Sequence, residues 1–287
     1  MKQRIITLVL GMMLVITITA ACYAEKSEMV QPTVSVTETL KSNFDQFFSS
    51  RNMNNVTYEF EEITPIDLEK TKFLKITFRD GTNTQEQFVF TDGTYIILDI
   101  TEVATGAGIK DKLAFKYNKP ADIDLSKLTL AYGSRNAKNY IVEVTDFQCP
   151  YCRRAHDYLK DKLKDKDVAV YLVHFPLNFH PKAELYARVF EAGAAQDVSF
   201  YDELYDTTPD FDSKTDEEII EYFAAKTVDS AAFKLAVNDH GLSVKVSEQM
   251  KMAQSMGIAG TPALYFNGKL VSGYNTSMID LAISTFN

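Results

Sequence analysis

The apolar residues of this chain change their spacing along its length, and the changes outline two structured regions. Leu40, Phe44, Phe47 and Phe48 recur at the interval of an amphipathic helix, and Ser35 with Glu38 has capping-box spacing at its start. The aromatic stripe reads as core. Period two follows: Val56, Tyr58 and Phe60 share one face of a strand, and Leu74, Ile76 and Phe78 one face of another. Residues 88–90 and 95–98 flank Thr91-Asp92-Gly93-Thr94, and Asp-Gly is a hairpin signal. One helix and antiparallel strands over 35–103 predict a small α+β domain without cysteine or histidine, to which no catalysis is assigned. The edges of such a sheet suit pairing with a second copy, so this region is a candidate dimerisation module. Residues 104–125 read as a linker, with a short helical stretch at 109–115 ended by Pro120.

From 126 to 287 the pattern is different. A strand at 139–147, a helix at 150–165 and a strand at 168–173 form a β-α-β order, which implies parallel strands. Helical stretches follow at 182–195, 198–205, 215–226, 229–239 and 243–256, the third opened by the capping-box pair Thr215 and Glu218. Residues 263–266 and 269–271 flank Asn267-Gly268 as a hairpin, and a helix at 276–286 closes the chain. A strand-helix-strand unit and a hairpin-helix unit are thus separated by a helical insertion at about 176–258.

The chemistry sits at Thr145-Asp146-Phe147-Gln148-Cys149-Pro150-Tyr151-Cys152, between the first strand and the first helix of this region. The unpaired N–H groups and the dipole of a helix's first turn favour a negative charge on Cys149. A thiolate held there has a lowered pKa and is the form that attacks disulfides. Pro150 fits the first turn because it has no N–H to lose. Cys152 lies one turn on and can close a disulfide with Cys149 or resolve a mixed one. Half of a zinc site is the competing use, but zinc takes four ligands, and the chain offers only Cys22 and four scattered histidines (His156, His174, His180, His240) besides. An inert structural disulfide is disfavoured because so short a loop gains little from a staple. Redox chemistry without a metal or other cofactor is the expectation.

Composition sets the surroundings of that chemistry. The chain has 287 residues, 46% of them hydrophobic, enough for a sizeable core, and a net charge of −9 without a basic run, which argues against a nucleic-acid partner. Lys2 and Arg4 precede an apolar run from Ile5 to Ala21, followed by small residues and then Glu25 and Lys26. That order is expected of a signal peptide over 1–24, with a membrane-spanning anchor as the alternative. Cleavage after Ala24 removes Cys22. Cleavage before Cys22 leaves a lipidated N-terminus, although Thr19 stands where lipoprotein signals usually carry an aliphatic residue. The expected compartment is the periplasm or another extracytoplasmic space, where a single cysteine pair is chemistry rather than scaffold.

With Gly260-Thr261-Pro262-Ala263 added to the Asp146-to-Cys152 segment, the chain resembles the thioredoxin fold and, with its helical insertion, the Dsb family of exported thiol-disulfide oxidoreductases. The resemblance implies that Pro262 is cis and lies beside the cysteines, and that the backbone of Thr261 pairs with an extended substrate. Cys-Pro-Tyr-Cys resembles the DsbG type and also glutaredoxins, and Thr261 before the proline resembles DsbC and DsbG. The run from Gly260 to Tyr274 is especially similar to DsbC-like sequences, and residues 174–181 resemble DsbA-like proteins. The first region resembles the DsbC/DsbG dimerisation domain, which implies a homodimer. An acid six residues before the first cysteine is often buried in this fold. Glu143 occupies that offset and is expected to be buried and to take a proton during exchange, with a solvent-facing strand end as the alternative. His156 falls one turn after Cys152, where a place near the site and a packing or surface position are both open, and His174, His180 and His240 are assigned structural positions.

These features point to an enzyme that exchanges disulfides in unfolded or misoxidised exported proteins, with isomerase or reductase activity favoured. Cys149 attacks and Cys152 resolves, and a DsbD-like membrane reductase is the implied partner. The rival directions are a DsbA-like oxidase recharged by a quinone-linked membrane partner and a periplasmic chaperone whose cysteine pair is secondary.

Overall fold

The structure is a computed structural model and describes residues 35–53, 55–65, 71–102 and 107–286. The expected signal peptide, Cys22 and the tether that follows lie outside the described residues. Helix α1 (Val36–Ser50) starts at Ser35 with the predicted capping box, its hydroxyl accepting from the Glu38 N–H. Its buried face, Leu40, Phe44 and Phe48, packs on Leu74, Ile76, Phe78 and Val89 of an antiparallel sheet. That sheet runs in the order β1 (Val56–Pro65), β2 (Lys72–Asp80), β3 (Asn83–Thr91), β4 (Ile96–Ile97). Each buried Phe contributes roughly 1.5–3 kcal/mol. The Thr91–Thr94 turn returns the chain as predicted, although only two pairs form, Phe90↔Ile97 and Thr91↔Ile96. On the opposite face Phe73 stacks on Phe88 and meets Phe90 at 4.8 Å.

After the short pair β5 (Thr101–Glu102) and β6 (Ala107–Gly108), helix α2 (Lys110–Tyr117) occupies the stretch read as a linker. It forms at the short helical stretch expected there at 109–115. Its Phe115 belongs to the core of the second half, and a cavity of about 230 Å³ between it and the last hairpin is lined by Phe88, Phe115, Leu270, Val271 and Met278.

The second half is built on a five-stranded sheet: β11 (Lys269–Ser272), β10 (Ala263–Phe266), β8 (Asn139–Thr145), β9 (Val168–His174), β7 (Thr129–Tyr132). Strands β8 and β9 are parallel, as their helical crossover requires. Both are buried almost throughout, so they read as continuous apolar runs. The cysteine helix α3 (Pro150–Lys162) joins them. Helices α4 (Ala183–Ala194), α5 (Tyr201–Phe211), α6 (Asp216–Ala224), α7 (Ser230–Val237) and α8 (His240–Ser255) form the insertion, and α9 (Thr276–Ile283) ends the fold. At the β10–β11 turn Asn267 and Gly268 have φ of 47° and 83°, the left-handed pair an Asn-Gly hairpin uses. The Asn267 side chain also accepts from the Tyr140 N–H at 2.8 Å, tying the turn to the start of β8.

Two elements differ from expectation. Strand β7 pairs antiparallel with β9 but is four residues long and irregular in register, too short for alternation to show. Helix α5 runs to Phe211, past the predicted end at 205 and through Pro209. The hydroxyls of Thr207 and Thr208 hydrogen-bond the carbonyls of Glu203 and Leu204 in the turn before that proline.

One polar cluster lies inside this half. The Glu191 carboxylate, on α4, accepts from Thr129 Oγ1 and from Lys245 Nζ, each at 2.6 Å, and lies 3.1 Å from His174 Nε2. Gln249 joins it, its Oε1 accepting the His174 N–H at 2.8 Å. The cluster therefore binds β7, β9, α4 and α8 together.

Candidate active site

Cys149 is the N-cap residue of α3 and Pro150 its first helical residue, so the cysteine stands at the strand-to-helix junction anticipated from sequence. The loop before it is held by Asp146, whose buried carboxylate accepts from the N–H groups of Gln148 and Leu177 and lies 2.7 Å from His180 Nδ1. Gln148 extends the same support. Its Oε1 accepts the Lys182 N–H at 2.6 Å and its Nε2 donates to Asp212 at 2.7 Å. His180, assigned a bland position from sequence, is thus part of the latch that shapes the cysteine loop.

The two sulfurs have opposite characters. The Cys149 pKa falls to about 5. The largest cause is a hydrogen bond from the Cys152 thiol; burial opposes it, and the Thr261 hydroxyl and the N–H groups of Cys152 and Tyr151 add to it. Cys152 is raised well above the usual thiol range, first by burial and then by Cys149 itself. At the exposed edge, Tyr151 projects into solvent with 55% of its surface accessible. The Thr261–Pro262 bond is cis, and in the thiol form Cys149 donates to the Thr261 carbonyl across 3.8 Å. The Thr261 hydroxyl is buried near both sulfurs without a closed hydrogen bond. Cys149, Cys152, Pro150, Tyr151, Thr261 and Pro262 are therefore together at one end of the sheet.

Glu143 lies beneath this group in the middle of β8, with no exposed surface. Its two oxygens accept from Tyr201 at 2.6 Å and Tyr205 at 2.8 Å, one helical turn apart on α5. The Tyr205 hydroxyl is also 2.5 Å from Thr145 Oγ1. His156, one turn beyond Cys152, is buried with its ring stacked on Tyr205 at 4.4 Å and edge-on to Tyr201 at 4.6 Å. Its Nε2 stands 3.1 Å from Asp202. Burial holds its pKa below the usual imidazole value, against the pull of Glu143 and Asp202. Thr145, Tyr201 and Tyr205 were not picked out as site residues from the sequence, and His156 was noted only for its place one turn after Cys152. The spacing of Tyr201 and Tyr205 marks a common helix face, but nothing local says that the face covers Glu143.

A cysteine pair with one stabilised thiolate and one buried thiol, beside a cis proline on a thioredoxin-like sheet with a helical insertion, defines a thiol-disulfide exchange fold. Residues 126–279 match the family model described as Thioredoxin. A "Probable disulfide bond formation protein D" of Bacillus cereus is 30% identical over 156 residues, covering 49% of this chain and 70% of that protein. A sodium/proton antiporter, NhaA 3 of Salinispora tropica, is 28% identical over 155 residues, which are 53% of this chain and 24% of the antiporter. The chain thus spans about a quarter of the length of that relative. Among solved structures, oxidised BdbD of Bacillus subtilis has a TM-score of 0.49 at 21% identity, covering 57% of this chain and 95% of that one. The chain belongs to the thioredoxin family, and over 49% of its length it is similar to a probable disulfide bond formation protein. The expected closeness to DsbC and DsbG is not what these relatives show.

Proposed function

We propose that this protein is an extracytoplasmic dithiol oxidase that transfers its Cys149–Cys152 disulfide to the thiols of unfolded exported proteins. The observation that carries this reading is the stabilised Cys149 thiolate. At pH 7 a thiol of pKa about 5 is about 99% ionised, against about 1% at the reference value of 9.0. Whatever stabilises the thiolate stabilises the reduced pair, and so makes the disulfide a better oxidant. In the reaction a client thiolate attacks Cys149, Cys152 leaves as a thiolate and takes up a proton, and a second client thiolate releases Cys149. The client gains a disulfide and the enzyme becomes a dithiol. A quinone-linked membrane protein is the proposed reoxidant. Export rests on the charged-apolar-small order of residues 2–24. Among the described residues no helix is long and apolar enough to cross a membrane.

Equilibration with glutathione buffers tests the direction. The expected reduction potential lies well above the thioredoxin value of about −270 mV, toward the range of about −120 to −200 mV typical of oxidants and isomerases. Acid-quenched alkylation in cells then separates those two: a mostly oxidised pair is expected. A mostly reduced pair would reject the oxidase and return the isomerase, which Thr261 before the cis proline and the N-terminal α+β region favour. In that case a DsbD-like reductase is the required donor. A chaperone role predicts client protection that survives Cys149→Ala, whereas disulfide transfer is lost.

Glu143 is proposed as the group that takes the Cys152 proton when Cys152 attacks during reoxidation and returns it when Cys152 leaves, on the strength of its burial and its hydrogen bond from Tyr205. The N-terminal sheet is proposed to pair with a second copy. Analytical ultracentrifugation is expected to show a dimer, and a monomer at micromolar concentration would remove this proposal and leave the redox reading untouched.

A further inference from the structure

The polar groups beneath Cys152 form a single line. Thr145, the last residue of β8, has its hydroxyl close enough to the Cys152 sulfur to favour its thiolate, and that Oγ1 sits 2.5 Å from the Tyr205 hydroxyl. Tyr205 in turn reaches Glu143 Oε1 at 2.8 Å. All four residues are buried, none more than 1% exposed. Each hydroxyl has one proton to give, and once Cys149 is held in a mixed disulfide it no longer takes the Cys152 proton, so the line then has a definite sense. Cys152 donates to Thr145, Thr145 to Tyr205, and Tyr205 to Glu143. Tyr201 occupies the other carboxylate oxygen.

We propose that Thr145 and Tyr205 are a two-hydroxyl relay that carries the proton of Cys152 to Glu143 as Cys152 attacks. The proposal rests on the reading of the cysteine pair as an exchange centre. In resolving a mixed disulfide on Cys149, the Cys152 proton passes to Thr145 while Thr145 passes its own to Tyr205 and Tyr205 its own to Glu143. The Cys152 thiolate then bonds to the Cys149 sulfur, the bond from Cys149 to the client breaks, and the client sulfur leaves with the electron pair as a thiolate. Glu143 ends neutral, and Thr145 ends with its hydroxyl turned toward the sulfur that gave up the proton. A stepwise route through a phenolate is disfavoured, because burial and Glu143 raise the Tyr205 pKa well above its usual value. Around Glu143 the facing polar groups are Tyr201 and Tyr205 on α5 and, on α3, Cys152 and His156, whose charge Glu143 favours. Its strand neighbours Leu172 and Leu264 are apolar.

Reaction of the reduced protein with an aromatic disulfide that releases a coloured thiol tests the relay, because it separates the two sulfurs. A first, concentration-dependent phase reports attack by Cys149. A second, unimolecular phase reports release by Cys152. Tyr205→Phe and Thr145→Val are expected to slow the second phase about tenfold or more at pH 6 and progressively less toward pH 9, where hydroxide replaces the relay. The first phase is expected to keep its rate, and Thr145→Ser to restore the second. Should Tyr205→Phe fail to fold, the Thr145→Val and Thr145→Ser comparison still decides. An unchanged second phase in the relay variants overturns the relay, and slowing by Glu143→Gln alone would show that Glu143 acts by another route. A wild-type protein with no second phase would instead overturn the exchange reading itself.

Discussion

In the reduced protein, alkylation by iodoacetamide is expected to modify Cys149 alone, with a rate that rises to half its plateau near pH 5 and is flat above pH 7. Cys152, buried and with its pKa raised, is expected to stay unmodified until the chain unfolds. The position of the profile is the diagnostic quantity, not the plateau rate. A thiolate of low pKa is intrinsically a weaker nucleophile, and with a Brønsted slope of about 0.4–0.5 that loss offsets much of the gain in thiolate. Because the Cys152 thiol is the largest cause of the depressed pKa, Cys152→Ala is expected to move the profile toward higher pH. Alkylation at pH 6 should then fall several-fold. A profile that does not move would place the stabilisation in the helix terminus and Thr261 instead. The same shift has a signed consequence for stability. A depressed pKa adds stability above the unfolded value of 9.0 and loses it as pH falls through about 5. The stability that the Cys149 thiolate adds to the reduced protein should therefore shrink steadily between pH 9 and pH 5.

Glu191→Ala is expected to cost about 3–5 kcal/mol, the usual penalty for removing one partner of a buried ion cluster. For a protein of this size that lowers Tm by roughly 6–20 °C. The carboxylate is the shared acceptor of Thr129 and Lys245 and stands against His174, so its loss leaves three elements without their common anchor. Lys245→Met should cost less, because the lysine is 38% exposed and its charge is replaced by a side chain that packs. Burial pushes the Glu191 pKa up, but His174 and Lys245 outweigh it and hold the carboxyl at about 2. A depressed carboxyl contributes stability above its unfolded value of 4.5 and loses it as pH falls toward 2. Wild-type protein should lose stability over that window, and Glu191→Ala should show a flatter acid limb. Denaturant unfolding at pH 7, 4 and 3 measures both; equal slopes in the two proteins would show that the cluster is not the acid-sensitive element.

What was legible in the sequence was local. Capping boxes at Ser35 and Thr215, the Asn267-Gly268 turn, the helical face of Leu40, Phe44 and Phe48, and the strand-to-helix placement of Cys149 all depend on residues within a turn or two of one another. Such signals survive in a linear reading because the interacting groups are neighbours in the chain. The pairing of Cys149-Pro-Tyr-Cys152 with Thr261-Pro262 was also legible, but through family resemblance, since 112 residues separate Cys149 from Thr261.

Only the tertiary structure decided which partners the buried polar groups found. Glu143 meets tyrosines 58 and 62 residues further on, and Glu191 meets Thr129 and Lys245 from opposite sides in sequence. His156, His174 and His180 gave no local sign of their partners, yet one stacks from the cysteine helix onto Tyr205, one faces a buried carboxylate and one latches the active-site loop. Hydrophobic periodicity tells which face of an element is buried. It says nothing about which donor will satisfy an acceptor on that face, because that choice is made by docking elements far apart in the chain. The redox character of the pair belongs to the same class: Cys152, Thr261 and two helix N–H groups set the Cys149 pKa together, and their sum exists only once the chain has folded.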